Sequence, residues 1–250
     1  MQMRSDALEN LAIVLVGTSH PGNIGSAARA MKNMGLGCLR LVRPRLFPDP
    51  EATALASGAD DVLASAQVHT DLHAAIGEAR LVVATTSRAR EKNYQVLDVR
   101  DAALRIAATL PAAPVCVLFG NERTGLTNEE LASSHFLLRV PADSRYESLN
   151  LAMAVLLVAY EVRRAVIESG GSSPPAIAPA PVAEMERLYE HFAAVLEEID
   201  FRDRTASGTH LMTRIRRLLQ RAAPDQNEVN ILRGILTAVQ QRRRRAGERE

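Results

Sequence analysis

Cysteine is almost missing from this chain: two residues in 250, Cys38 and Cys116. Each lies in an apolar, strand-like run, so they read as reduced core thiols, and no disulfide framework can be built from them. Chain-wide charge is missing too. The net is +1, which gives no global signal for a nucleic-acid partner. No apolar run is long enough to span a bilayer, since residues 151–160 stop short and lead into charges. Residues 11–16 are too short for a secretion signal and follow Asp6 and Glu9. A reducing cytoplasm and no membrane partner are therefore expected. No G-x-G-x-x-G follows the first strand, which excludes the ordinary dinucleotide cradle. There is no Walker motif and no G-x-S-x-G elbow. His69 and His73 are spaced i,i+4, but without an H-E-x-x-H pattern around them, and no metal site is expected.

What is present is a large apolar fraction, 47%, enough for a sizeable core. Its pattern alternates. Apolar runs at 11–16, 38–42, 81–86, 115–119 and 136–140 read as strands. Residues 24–34, 52–59, 71–78 and 98–110 have helical period. Strand–helix alternation predicts an α/β layer with a mostly parallel sheet. After about residue 168 the composition changes. Residues 169–183 read as a Gly/Ser/Pro/Ala linker. Residues 184–250 read as a small helical extension, with helices expected at 182–199, 214–221 and 227–243. Its charge is polarised: residues 184–200 carry six acids and one arginine, whereas 201–250 carry 12 arginines and five acids. Arg214, Arg216, Arg217 and Arg221 fall at helical spacing and can face phosphates. Arg242 to Arg245 form a terminal basic run.

The chemistry concentrates between Val115 and Val162. The run 115–119 suits a strand buried on both faces. Gly120-Asn121-Glu122-Arg123-Thr124-Gly125 follows at once, a loop whose backbone can approach a ligand closely. Thr127 and Glu130 make a capping box. Ser148-Leu149-Asn150 opens an apolar helix of roughly 18 residues. Polar groups thus gather at the carboxyl end of a strand and at a helix start, where open α/β sheets bind ligands. Taken singly, each residue has a plainer reading. Glu122 reads as a surface ion pair with Arg123, Ser148 and Asn150 read as helix caps, and Arg29 reads as a solvated helix arginine.

Three motifs stand in order: Asn23-x-Gly25-x-x-x-Arg29, Gly120-x-Glu122-x-x-Gly125-Leu126, and Ser148-Leu149-Asn150-x-x-x-Ala154. Together they resemble the SpoU, or 2′-O-ribose, branch of the knotted SPOUT RNA methyltransferases. The likeness covers about residues 10–168 and is greatest to the tRNA enzymes acting on ribose 32 of the anticodon loop.

The resemblance implies a trefoil-knotted α/β fold with helices on both sheet faces, S-adenosylmethionine as cofactor, tRNA and not DNA as substrate, and a homodimer. It implies catalytic roles for Arg29, Asn23, Glu122, Ser148 and Asn150. It assigns cofactor binding to Thr85, Thr86, Ser87, Gly120, Val140, Glu147, Ser148 and Leu149. A free arginine is a poor base, so Arg29 is expected to orient and stabilise charge on the ribose oxygen. Methylation of another tRNA position or of ribosomal RNA, and a non-catalytic RNA-binding role on the same fold, remain as alternatives.

Overall fold

The computed structural model describes residues 7–87, 94–143, 145–168, 178–201 and 211–247, with side chains as far as Arg242. Arg88, Arg90 and Lys92, and most of the expected linker, lie outside the described residues. The chain divides into two compact units, Met1–Ala178 and Pro179–Glu250.

The first unit runs β1 (Leu11–Val16), α1 (Pro21–Asn33), β2 (Cys38–Val42), α2 (Pro50–Ala56), α3 (Asp60–Ala64), β3 (Gln67–His69), α4 (Leu72–Ile76), β4 (Leu81–Thr85), β5 (Val96–Asp98), α5 (Val99–Thr109), β6 (Val115–Phe119), α6 (Asn128–Ala132), β7 (Phe136–Arg139) and α7 (Leu151–Glu168). The strands form one seven-stranded sheet in the order β3-β2-β1-β6-β4-β7-β5. Every adjacent pair is parallel. β1 and β6 are buried at every position, which explains their unbroken apolar sequence: helices cover both faces of a parallel sheet, so neither face can be polar. Because all strands point the same way, the segments after β1, β4, β6 and β7 emerge at one edge. β6 forms late in the chain yet sits between β1 and β4.

Some expected boundaries move. The first helix begins at Pro21, three residues before the expected start, because proline at the first helical position needs no N–H partner there. Two strands, β3 and β5, were not anticipated. Each has three residues with mostly exposed side chains, so neither carries a hydrophobic run. α3 was also missed, being a five-residue helix. The capping box forms as expected: the Thr127 hydroxyl accepts from Glu130 N and the Glu130 carboxylate accepts from Thr127 N.

α7 has two apolar faces. Leu151, Val155, Val158 and Val162 are buried, and the helix packs on α1 and α5. Met153, Leu156, Leu157, Tyr160 and Ile167 are exposed, Met153 to 61%. Residues three and four apart share a helix face, so Met153, Leu156, Leu157 and Tyr160 make one apolar stripe, with Ile167 two turns beyond Tyr160 and Arg164 between them.

The second unit holds α8 (Val182–Glu198), α9 (Leu211–Ala222) and α10 (Gln226–Gly247). Met185, Leu188, Tyr189 and Val195 of α8 meet Val229 and Leu236 of α10 in a small core. Arg216 is committed within this unit. It lies 4.3 Å from the Tyr189 ring centroid and 2.6 Å from Glu186. That removes it from the expected phosphate-facing set, whereas Arg214 and Arg221 are exposed.

Candidate active site

At the common strand edge lies a cavity of about 430 Å³. Thr85, Thr86 and Ser87 come from the end of β4, Gly120 to Leu126 from the loop after β6, Val140 from the end of β7, and Glu147, Ser148 and Leu149 from the segment before α7. All eight residues assigned to cofactor binding are therefore in its lining. Phe119, Leu131, Leu138 and Leu151 supply apolar wall. The Thr85 hydroxyl donates to Leu118 O at 2.8 Å, which fixes one rim to the neighbouring strand.

Gly120 is required by close approach. A Cβ there would lie 2.3 Å from Gly125 C and from Leu126 N. The loop folds back on itself at this point, with Gly125 N donating to Asn121 O at 2.8 Å. Gly25, the glycine of the first motif, has the same cause at another place: its Cβ would lie 2.0 Å from Ala52 O, so only glycine lets α1 and α2 touch.

Glu122 does not pair with Arg123. Its carboxylate turns to the loop after β1, accepting from Ser19 N at 3.0 Å and from Asn23 Nδ2 at 2.9 Å, with a longer contact from His20 N at 3.4 Å. The Asn23 carbonyl oxygen in turn accepts from Asn150 Nδ2 at 3.1 Å. The first, second and third motifs are thus joined by one chain of hydrogen bonds, Glu122–Asn23–Asn150. Asn150 also caps α7, its Oδ1 accepting from Ala152 N at 2.9 Å, so capping and motif bridging coexist in one side chain. Asn121 has no role marked by spacing or by resemblance. It ties the two loops together, donating to Gly17 O and to the Ser19 hydroxyl, each at 2.7 Å. An asparagine between two glycines is a turn signal, and that was the available clue.

Arg29 is placed differently. It is exposed on α1 and absent from the cavity lining, with no ion pair or hydrogen bond among the described residues. Six residues beyond Asn23, it stands about 9 Å further along the helix axis.

Burial favours the neutral form of Glu122, but the hydrogen bonds from Asn23, Ser19 and His20 outweigh it and hold its pKa below the ordinary 4.5. A carboxylate with a depressed folded pKa stabilises the fold above its unfolded pKa, and that contribution is lost as pH falls through the folded value. As pH falls below 4.5, wild type should lose more thermal stability than Glu122→Gln, whose amide does not titrate. Melting curves across that window check this; parallel curves for the two proteins would contradict it.

Two groups in this unit with large shifts are structural. Burial pushes the Cys116 thiol up to about 12. Burial also drops His135 to about 4, against the Val82 N–H that its Nδ1 accepts. Neither lines the cavity. Among the described residues no cluster of three metal-type side chains exists, and no helix is long and apolar enough to cross a membrane.

Comparison with known proteins follows the same division. The SpoU rRNA Methylase family profile matches residues 10–160, and the profile of the tRNA methyltransferase TrmJ C-terminal domain matches residues 183–249. A tRNA (cytidine/uridine-2′-O-)-methyltransferase TrmJ from Pectobacterium atrosepticum is 45% identical over 93% of this chain and 98% of its own. The TrmJ of Sodalis glossinidius is 46% identical over 93% of this chain and 92% of its own. Among solved structures, TrmJ from Z. mobilis superposes with a TM-score of 0.80 at 36% identity, covering 92% of this chain and 98% of that one. With its three motifs joined around one cavity and these relatives matched along almost its whole length, the chain belongs to the SpoU methylase family and groups within it with the TrmJ proteins.

Proposed function

We propose that this protein transfers a methyl group from S-adenosylmethionine to a ribose 2′-hydroxyl of tRNA, at nucleotide 32 of the anticodon loop, on cytidine or uridine. The observation that carries the reading is the hydrogen-bonded union of all three motifs beside a ligand-sized cavity. The tRNA substrate rests on the named activity of relatives at 45% identity over 93% of the chain. The trefoil knot is inferred from family membership, and the late insertion of β6 between β1 and β4 is compatible with it.

The cavity fits the cofactor. Its volume lies within the roughly 300–1,000 Å³ of small-molecule sites. Phe119, Leu131 and Leu138 suit an adenine face, and the bare backbone at Gly120 leaves room for close approach. When bound, S-adenosylmethionine supplies an electrophilic methyl group on a sulfonium. The protein does the rest by placement. Glu122 and Asn23 fix the loop after β1 against the loop after β6. Asn150 and Ser148 bring the start of α7 to the cavity. Arg29 offers a fixed positive charge for the oxyanion developing on the ribose 2′-oxygen. Isothermal titration with S-adenosylmethionine, followed by transfer of labelled methyl to purified tRNA, tests the assignment. Binding with no transfer to tRNA would favour a non-catalytic RNA-binding role.

We infer a homodimer through the exposed stripe of α7. A contiguous patch of four large apolar side chains, Met153, Leu156, Leu157 and Tyr160, marks an interaction surface. Light scattering should give about twice the 27.2 kDa chain mass at micromolar concentration, and a monomer would contradict it. The cytoplasm is the proposed location.

The helical extension is assigned to tRNA affinity. Arg214 and Arg221 are seven residues apart, near one face of α9. A chain ending near residue 168 should keep S-adenosylmethionine binding, and its affinity for tRNA should fall at least about tenfold, or ~1.4 kcal/mol. Unchanged affinity and salt dependence in the truncated dimer would move RNA binding to the first unit.

A further inference from the structure

Three charged side chains line the cavity: Glu122, Arg123 and Glu147. Both carboxylates are already engaged. Glu122 accepts from Asn23 and Ser19, and Glu147 is 2.6 Å from Arg139. Arg123 is the exception. Its backbone N–H is held by Asn121 Oδ1 at 2.9 Å, yet its guanidinium has no ion pair or hydrogen bond among the described residues. The residue is exposed. The backbone beneath it is pinned on both sides, because the Asn121 side chain ties this turn to the loop after β1. The protein therefore fixes the base of Arg123 and leaves five N–H donors pointing to no internal acceptor.

From this geometry we propose that Arg123 is a phosphate clamp: its guanidinium binds a backbone phosphate of the RNA next to the target nucleotide and sets that ribose over the cavity. The inference rests on the cavity being the methyl-transfer site proposed above. A planar guanidinium matches the two oxygens of a phosphate in a bidentate fork. RNA brings such a group with every nucleotide. The same oxyanion chemistry could come from the carboxylate of S-adenosylmethionine, but exposure argues for the phosphate. Arg123 lines the cavity and is exposed as well, so its guanidinium is open to a polynucleotide lying across the cavity mouth. Arg123 is a positioning residue on this account. It contributes to placing the sugar and leaves the charge on the 2′-oxygen to Arg29.

The test uses full-length protein as wild type, Arg123→Ala and Arg123→Lys. Neither substitution removes an internal side-chain contact, so both should fold. For each, tRNA affinity is measured across a salt series, S-adenosylmethionine affinity by calorimetry, and KM and kcat with tRNA. The clamp predicts that Arg123→Ala flattens the slope of log affinity against log salt by about 0.7 to 0.9, the value of one phosphate contact. It also predicts a raised KM for tRNA and a cofactor affinity within about twofold of wild type. Arg123→Lys should keep most of the salt slope, since it keeps the charge, and recover part of the KM. A weakened cofactor affinity with an unchanged salt slope would overturn the clamp and give the guanidinium to the cofactor carboxylate. No change in either would overturn it outright. Wild type that binds neither tRNA nor S-adenosylmethionine would instead refute the methyl-transfer reading itself.

Discussion

Replacing Arg29 by alanine is expected to lower kcat for methyl transfer by about 10²–10³-fold, the usual cost of losing one oxyanion donor, with S-adenosylmethionine affinity unchanged. The separation follows from position. Arg29 is exposed and outside the cavity lining, so it adds nothing to the cofactor's walls. It has no partner among the described residues, so its loss breaks no internal contact and the fold should keep its melting temperature. Arg29→Lys should recover only part of the rate, because an ammonium lacks the planar fork. A pH–rate profile adds a second readout. If the arginine only stabilises charge and takes no proton, the Arg29→Ala profile should keep the wild-type shape at a lower level. Near-normal turnover in Arg29→Ala would remove the residue from the mechanism.

Gly120→Ala is expected to cost about 10²-fold in S-adenosylmethionine affinity and in transfer rate, the scale of a misplacement near 1 Å. The added methyl would sit 2.3 Å from two backbone atoms, Gly125 C and Leu126 N. Backbone cannot rotate away as a side-chain tip can, so the whole turn from Asn121 to Leu126 must move. With Gly120, that turn supplies seven consecutive residues of the cavity lining, Gly120 to Leu126. It also holds Glu122 against Asn23, so the connection between motifs should loosen with it. Strain of this kind costs about 1–3 kcal/mol, which a melting curve would register as a moderate loss while the fold persists. Wild-type cofactor affinity in Gly120→Ala would mean that the loop is not part of the binding site.

Much of the frame was legible because burial writes itself into sequence. β1 and β6 are apolar at every position since both faces are covered, and the capping box at Thr127 and Glu130 needs only local chemistry. β3 and β5 were illegible for the opposite reason: short strands with exposed side chains have no apolar run to show. The start of α1 lies before its apolar period, at Pro21, whose ring suits the first helical position. At the site, spacing marked which residues matter but not whom they touch. Glu122 next to Arg123 looked like an ion pair, yet the partners of Glu122 lie about a hundred positions away, in the loop after β1. Only the sheet order brings those loops together. Arg216 failed similarly: helical spacing put it among phosphate-facing arginines, and packing turned it onto Tyr189 and Glu186.

The central claim is methyl transfer to a tRNA ribose, and nucleotide-resolved mass spectrometry of tRNA tests it most directly. Transfer RNA from cells lacking the protein should have an unmethylated ribose at nucleotide 32 in species that are methylated there in the parent strain. Incubating that tRNA with purified protein and S-adenosylmethionine should restore the 2′-O-methyl group at that nucleotide, and Arg29→Ala protein should not. A methylation pattern identical in the two strains, with no methyl incorporated into the tRNA in vitro, would contradict the account.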